Sequence, residues 1–123
     1  MSRYLPGSKI INWPLRRRIF SFFSNKLANF LLKANVSDYT MGYRIYSKKA
    51  VIQIANNCGK VGSGFIVLSE ILAELCYNNY KIKDTKTTFI NREKGDSTVG
   101  FKLIYESLIG IFKIYFKYRR IKI

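Results

Sequence analysis

The sequence predicts an α/β domain that ends in an amphipathic helix. Three observations carry this expectation. Apolar residues recur at helical spacing over residues 15–31 and again over 65–78. Two short runs, "YKIKD" at 80–84 and "KTTFI" at 86–90, follow and read as a strand pair. Residues 99–123, "VGFKLIYESLIGIFKIYFKYRRIKI", mix Ile, Phe, Leu and Tyr with charges at roughly helical spacing.

The chain of 123 residues is one domain or part of one, long enough for a modest core. An apolar share of 48% fits a globular protein and argues against disorder. Twenty-two Lys and Arg face seven Asp and Glu, a formal balance of +15. Such an excess calls for anionic partners: nucleic acid, an anionic membrane or phosphorylated substrates. Histidine is absent, which removes the commonest general base and metal ligand. Cys58 and Cys76 stand far apart and read as reduced, half-buried residues rather than a zinc site or disulfide framework. The opening "MSRYLPGSKI" lacks the apolar stretch of a secretory signal, and no run reaches about 18 uncharged apolar residues.

Taken in order, residues 3–13 read as a loop, with Pro6-Gly7-Ser8 as turn chemistry. Asn12 can cap the first helix and Pro14 suits its first turn. Ile19, Phe20, Phe23, Leu27, Phe30 and Leu31 form its apolar stripe. Arg16, Arg17 and Arg18 crowd its opening turns, where cations oppose the helix dipole. They form either a solvated face or, with the helix end, an anion site. "DYTMGYRIY" at 38–46 reads as extended around Gly42, and 47–57 suits a short helix. "CGKVGSG" at 58–64 is a loop without the ending of a P-loop. Residues 65–78 form a clear helix with Glu70 and Glu74 one turn apart. "NREKGDSTVG" at 91–100 is a polar loop. In the last segment Lys102, Glu106, Lys113 and Lys117 leave a broad apolar face. That face suits a membrane interface, where rings sit at headgroup level and cations meet anionic lipid; a helix packed into a core is the alternative.

Three ordered stretches carry a more specific signal: "SRYLPG" running into "NWPLRRRIFSFFSNKLANFLL", then "DYTMGYRIYSKKAV", then "FINREKGDS". Together they resemble the C-terminal half of family 2 glycosyltransferases of the dolichol-phosphate mannosyltransferase type, a group that includes polyprenyl-phosphate glucosyltransferases. The resemblance covers roughly residues 1–100. It implies a partial GT-A, Rossmann-like domain over 1–98 and an amphipathic interfacial helix with a basic tail over 99–123. It also implies inverting transfer of a sugar of the mannose or glucose class from a nucleotide sugar to a polyprenyl phosphate, at the cytoplasmic face of a membrane, with peripheral attachment.

By the same resemblance Asp38 is the active-site carboxylate, supported by Thr40, Gly42 and Arg44. Arg44 would pair with Asp38 or hold the strand. Arg3, Arg17 and Ser21 match the acceptor-phosphate positions. Arg17 and Ser21 are four apart and share a helix face. Arg92, Gly95 and Ser97 match the loop that meets the donor diphosphate. The sequence departs from the family pattern at Thr98, where Lys is usual, and at Lys86, where Pro is common. Met41 stands where Ser is frequent, and Gly7 alone remains of a glycine-rich turn. A divalent ion, Mg or Mn, is expected for the complete enzyme. Its D-x-D motif is missing from this sequence, so no metal ligand is assigned within the chain. The chain therefore reads as a C-terminal portion, inactive alone: the product of a split or truncated gene, of a decayed one, or a fragment of a longer sequence, with a separately encoded N-terminal half as one partner it could take. The competing reading is a non-enzymatic basic module on nucleic acid or anionic membrane. Of these, nucleic acid is not the expected partner, because no RRM, KH or zinc pattern appears.

Overall fold

The structure is a computed structural model and describes residues 1–94 and 100–121. Its elements are β1 (Lys9–Ile11), α1 (Leu15–Leu32), α2 (Lys48–Asn57), α3 (Phe65–Tyr77), β2 (Thr88–Ile90) and α4 (Phe101–Ile121). It is a mixed helical fold with one small parallel ribbon, compatible with part of a glycosyltransferase domain.

α3 is the hub. Ile66, Ile71, Leu72, Ala73 and Leu75 are all buried, so this helix is apolar around most of its girth, as a helix enclosed by others must be. α2 lies against one side of it, packing through Ala50, Ile71 and Leu75. α2 begins where the Ser47 hydroxyl accepts from the Ala50 N–H, a side-chain cap for an otherwise orphaned donor. α4 lies against another side of α3, and Ile111 and Ile114 join Ala28, Val36, Tyr39, Ile66 and Leu72 in the main core. The crossing is close because Gly110 faces Ile66. A Cβ at Gly110 would stand 2.6 Å from Ile66 Cδ1.

A second tie between these helices is polar. Glu70 is fully buried, and it accepts from Lys117 Nζ and the Gly59 N–H, both at 2.8 Å. Glu74, one turn on, accepts from Gln53 of α2 and the Tyr118 hydroxyl of α4. Buried carboxylates persist only when paired in this way.

Two expectations are corrected. Residues 80–84 are not a strand, and "KTTFI" does not pair with them. Its last three residues form β2, which runs parallel to β1 with Lys9 opposite Thr88, Ile10 opposite Phe89 and Ile11 opposite Ile90. The reason is upstream: Ser2 bridges to Lys86 and its N–H bonds the Thr85 carbonyl at 2.8 Å, so the chain opening claims that register first. The first helix also starts at Leu15, with Pro14 at its N-cap and no side-chain cap; Asn12 sits in a left-handed turn instead.

α1 carries a further surprise. Its inner face is small and polar: Ser21, Asn25 and Ala28. Several of its bulky apolar residues point outward, with Leu15 at 70%, Phe23 at 65% and Phe30 at 74% exposure, while Leu31 and Leu32 pack against the core. Of the stripe read from sequence, Ile19, Phe23 and Phe30 are thus exposed rather than core. α4 repeats the pattern on its outer face, where Phe101, Tyr105, Phe112 and Phe116 are exposed opposite the buried Ile111 and Ile114. Among the described residues no helix is long and apolar enough to cross a membrane.

Candidate functional site

The site is built where the chain opening meets the segment after α1. Ser2, fully buried, is held by the Ser37 hydroxyl, and Ser37 is in turn held by Asp84 through its N–H at 2.7 Å and its hydroxyl at 2.8 Å. That arrangement delivers Arg3 onto Asp38. Arg3 Nε donates to Oδ2 at 2.7 Å, Nη2 donates to Oδ1 at 2.8 Å, and the Arg3 N–H reaches Oδ2 at 3.2 Å. This is the planar, two-pronged match of guanidinium to carboxylate. Arg3 Nη2 also donates to Thr40 Oγ1 at 2.6 Å. The Thr40 and Met41 N–H groups close a turn on Asp38 Oδ1.

Burial alone would raise the Asp38 carboxyl. The hydrogen bonds and charge of Arg3, with the Thr40 N–H, outweigh that and hold it below its ordinary 3.8. Asp38 is therefore a charged, fully occupied acceptor rather than a free base. Its chemistry is to orient Arg3 and to place a fixed negative charge beside the site.

Arg3 is enclosed by rings. Its Cζ lies 4.5 Å from the Trp13 ring centroid, 5.2 Å from Phe89 and 5.8 Å from Tyr4. Cation–π contact of this kind favours the charged guanidinium where water is scarce. Trp13 Nε1 is buried and has no acceptor among the described residues.

Ser21 comes to the same place from α1. Its hydroxyl accepts from the Tyr4 hydroxyl at 2.8 Å and lies 3.4 Å from Thr40 Oγ1. Asn25, one turn along, donates to the Ser21 carbonyl at 2.8 Å, while its own oxygen accepts the Tyr39 N–H. Asn25 thereby pins α1 to the Asp38 segment. Arg17 sits further up the same face, half-buried, and donates to Asn91 Oδ1 at 3.4 Å, beside the exposed Arg92.

Arg3, Ser21, Asp38 and Thr40 are thus in one contact chain, and Arg17 stands at the end of β2. Gly42 is exposed in the extended stretch that follows. Arg44 does not pair with Asp38; it donates to the carbonyls of Met41, Leu68 and Tyr39, each at 2.8 Å, and locks 39–44 onto α3. The pair with Asp38, one of the two roles open to Arg44, is made by Arg3, and Arg44 fills the other. Gly95 and Ser97 lie outside the described residues. Tyr4, Trp13 and Asn25 are not among the site residues read from sequence, although all three stand inside the quoted stretches.

Among the described residues no three His, Cys, Asp or Glu side chains gather, and the buried Asp38 is saturated by Arg3.

With this geometry in place, the chain is similar to polyprenyl-phosphate mannosyltransferases, and the resemblance to family 2 glycosyltransferases read from its motifs is borne out. One such relative is the polyprenol monophosphomannose synthase of Mycolicibacterium smegmatis, 29% identical over 110 residues, which are 89% of this chain and 41% of the relative. Another is the undecaprenyl-phosphate mannosyltransferase of Micrococcus luteus, 28% identical over 111 residues, 89% of this chain and 45% of the relative. The chain spans less than half the length of these curated relatives. No family model matches it, and no solved structure matches it.

Proposed function

We propose that this chain is the acceptor-side part of a glycosyltransferase that moves a sugar, mannose or a close relative, from a nucleotide sugar to a polyprenyl phosphate. The observation that carries the reading is the contact chain Tyr4–Ser21–Thr40–Arg3–Asp38, with the aromatic walls of Arg3 around it. It places a hydroxyl and an oriented guanidinium on one surface, and Arg17 extends that surface toward Arg92. A phosphate monoester needs such donors and no base, since it is already ionised at neutral pH. Its oxygen attacks the sugar's anomeric carbon from the face opposite the nucleotide diphosphate. One carbon–oxygen bond forms while the other breaks, which inverts the centre. Ser21, Arg17 and Arg3 hold and neutralise the phosphate, Asp38 keeps Arg3 aimed, and Arg92 with the loop carrying Gly95 and Ser97 meets the leaving diphosphate. A divalent ion on that diphosphate would be held by ligands outside this chain.

The outward apolar faces of α1 and α4 support work at a membrane surface with peripheral attachment, on the cytoplasmic face, where anionic headgroups meet the basic excess. The remaining length of the relatives would complete the enzyme.

The test uses the single tryptophan, Trp13, which stacks on Arg3. A ten-carbon isoprenyl phosphate should change its fluorescence in a saturable way, and the matching alcohol should not. Ser21→Ala and Arg17→Gln should each weaken binding by about tenfold, the loss of one good contact to a charged group. Equal binding of phosphate and alcohol would end the proposal. Sugar transfer is then sought with the nucleotide-binding portion of the Micrococcus luteus relative added.

A further inference from the structure

We infer that a groove at the C-terminal ends of α1, α3 and α4 seats one anionic phospholipid of the bilayer, its headgroup on Lys33 and Arg119 and its acyl chain on Leu31 and Leu32. The groove encloses about 660 Å³, and none of its lining residues is an Asp or Glu. Its wall divides by chemistry. Leu31, Leu32 and Ala73 give an apolar floor, while Lys33, Arg119 and tyrosines stand around it. Lys33 is the residue just past α1; it is exposed and makes no ion pair among the described residues. Arg119 donates to the Tyr115 hydroxyl at 3.1 Å and rests over that ring, leaving further guanidinium N–H groups and the Tyr115 proton for an incoming oxygen.

A soluble anion would use the cations and ignore the floor. A neutral lipid would use the floor and ignore the cations. An anionic phospholipid uses both. Phe30 and Phe116 are exposed on the same two helix ends and continue the apolar surface outward. The groove is separate from the cluster around Ser21: Leu32 lies eleven residues further along α1, about 16 Å at a rise of about 1.5 Å each.

Cys76 lines the groove and reports on it. Cys58 is a slow internal control, because burial first and the Glu70 charge second push its thiol up to about 11. The experiment follows iodoacetamide alkylation of Cys76 in the 123-residue chain, with dihexanoylphosphatidylglycerol present below its micelle concentration. The lipid should slow the reaction saturably; dihexanoylphosphatidylcholine and glycerol 3-phosphate, at equal concentration, should not. Lys33→Gln with Arg119→Gln should raise the half-protecting concentration by about tenfold or more, as expected when two charge-assisted contacts go. Ser21→Ala should leave it unchanged, which separates this site from the acceptor reading. Phosphorus NMR line broadening of the lipid gives a second readout that does not depend on the thiol. Equal protection by phosphatidylcholine, or an unaltered response in a double variant of unchanged helical circular dichroism, would overturn the inference. Protection by glycerol 3-phosphate as strong as by the lipid would make this a free-phosphate site and overturn the lipid assignment.

Discussion

Replacing Asp38 by Asn tests the pair on which the site rests. Asp38 is 3% exposed and Arg3 8%. Two bonds of 2.7 and 2.8 Å join them. An amide at Asp38 presents an NH₂ where one carboxylate oxygen stood. Turned one way it faces Arg3 Nε, and turned the other way Nη2; donor meets donor in both. Breaking one partner of a buried ion pair costs about 3–5 kcal/mol, out of a total stability of about 5–15 kcal/mol for an ordinary domain. In urea, where slopes for small proteins run at about 1–3 kcal/mol per molar, the midpoint should fall by about 2 M. The assay is urea unfolding followed by Trp13 fluorescence and by far-UV circular dichroism. Arg3→Met combined with Asp38→Leu should recover most of the loss, because well-packed apolar side chains replace a buried pair at little or no cost. The acid limb has a defined sign. Asp38 is held below its unfolded value of 3.8, so its contribution is complete above that pH and disappears as pH falls through the lower folded value. A single variant that loses less than about 1 kcal/mol would refute the pair as the organiser of the site.

Other outcomes follow from single contacts. Gly110→Ala should destabilise by about 1–3 kcal/mol through overpacking against Ile66, reversing the usual gain of alanine over glycine in a helix; Ile66→Ala in the same chain should relieve the clash, read by the same urea titration. Arg44→Lys should lower stability by about 1–3 kcal/mol, since one ammonium cannot reach the carbonyls of Met41, Leu68 and Tyr39 together; retention of the wild-type midpoint would refute this. Burial pushes the Tyr39 phenol up to about 12 from 10.0, so the folded state keeps its proton longer than the unfolded one. Its share of stability is whole below pH 10.0 and is lost between there and about 12; Tyr39→Phe should flatten that part of the pH–stability curve.

The helices were legible because their signals are local. α3 is a run of apolar residues between Gly64 and Asn78, and α2 follows Ser47, a good cap. The ribbon was not legible, because its register depends on pairing residues near position 10 with residues near 89, and nothing local to "KTTFI" favours one partner over another. Arg3, Ser21, Asp38 and Thr40 were picked out by motif, but their links were not. Of the two roles open to Arg44, holding its own segment is the one it fills, whereas the partner of Asp38, Arg3, is 35 residues away. Asn25 carried no signal of its own in a helix read for its apolar stripe. Which side of α1 turns inward is not a local property. Periodicity reports that two faces differ, and only tertiary contacts decide which face turns inward.

The inverted α1 has a consequence for how the molecule settles. Its inward side offers Ser21 and Asn25 beside Ala28, so apolar burial holds it mainly through Ala28, Leu31 and Leu32; what fixes its setting is the directional bonding of Asn25 to the Tyr39 N–H and of Ser21 to the Tyr4 hydroxyl. Its far side leaves Leu15, Phe23 and Phe30 in water, apolar surface that an oily phase would take up without disturbing those bonds.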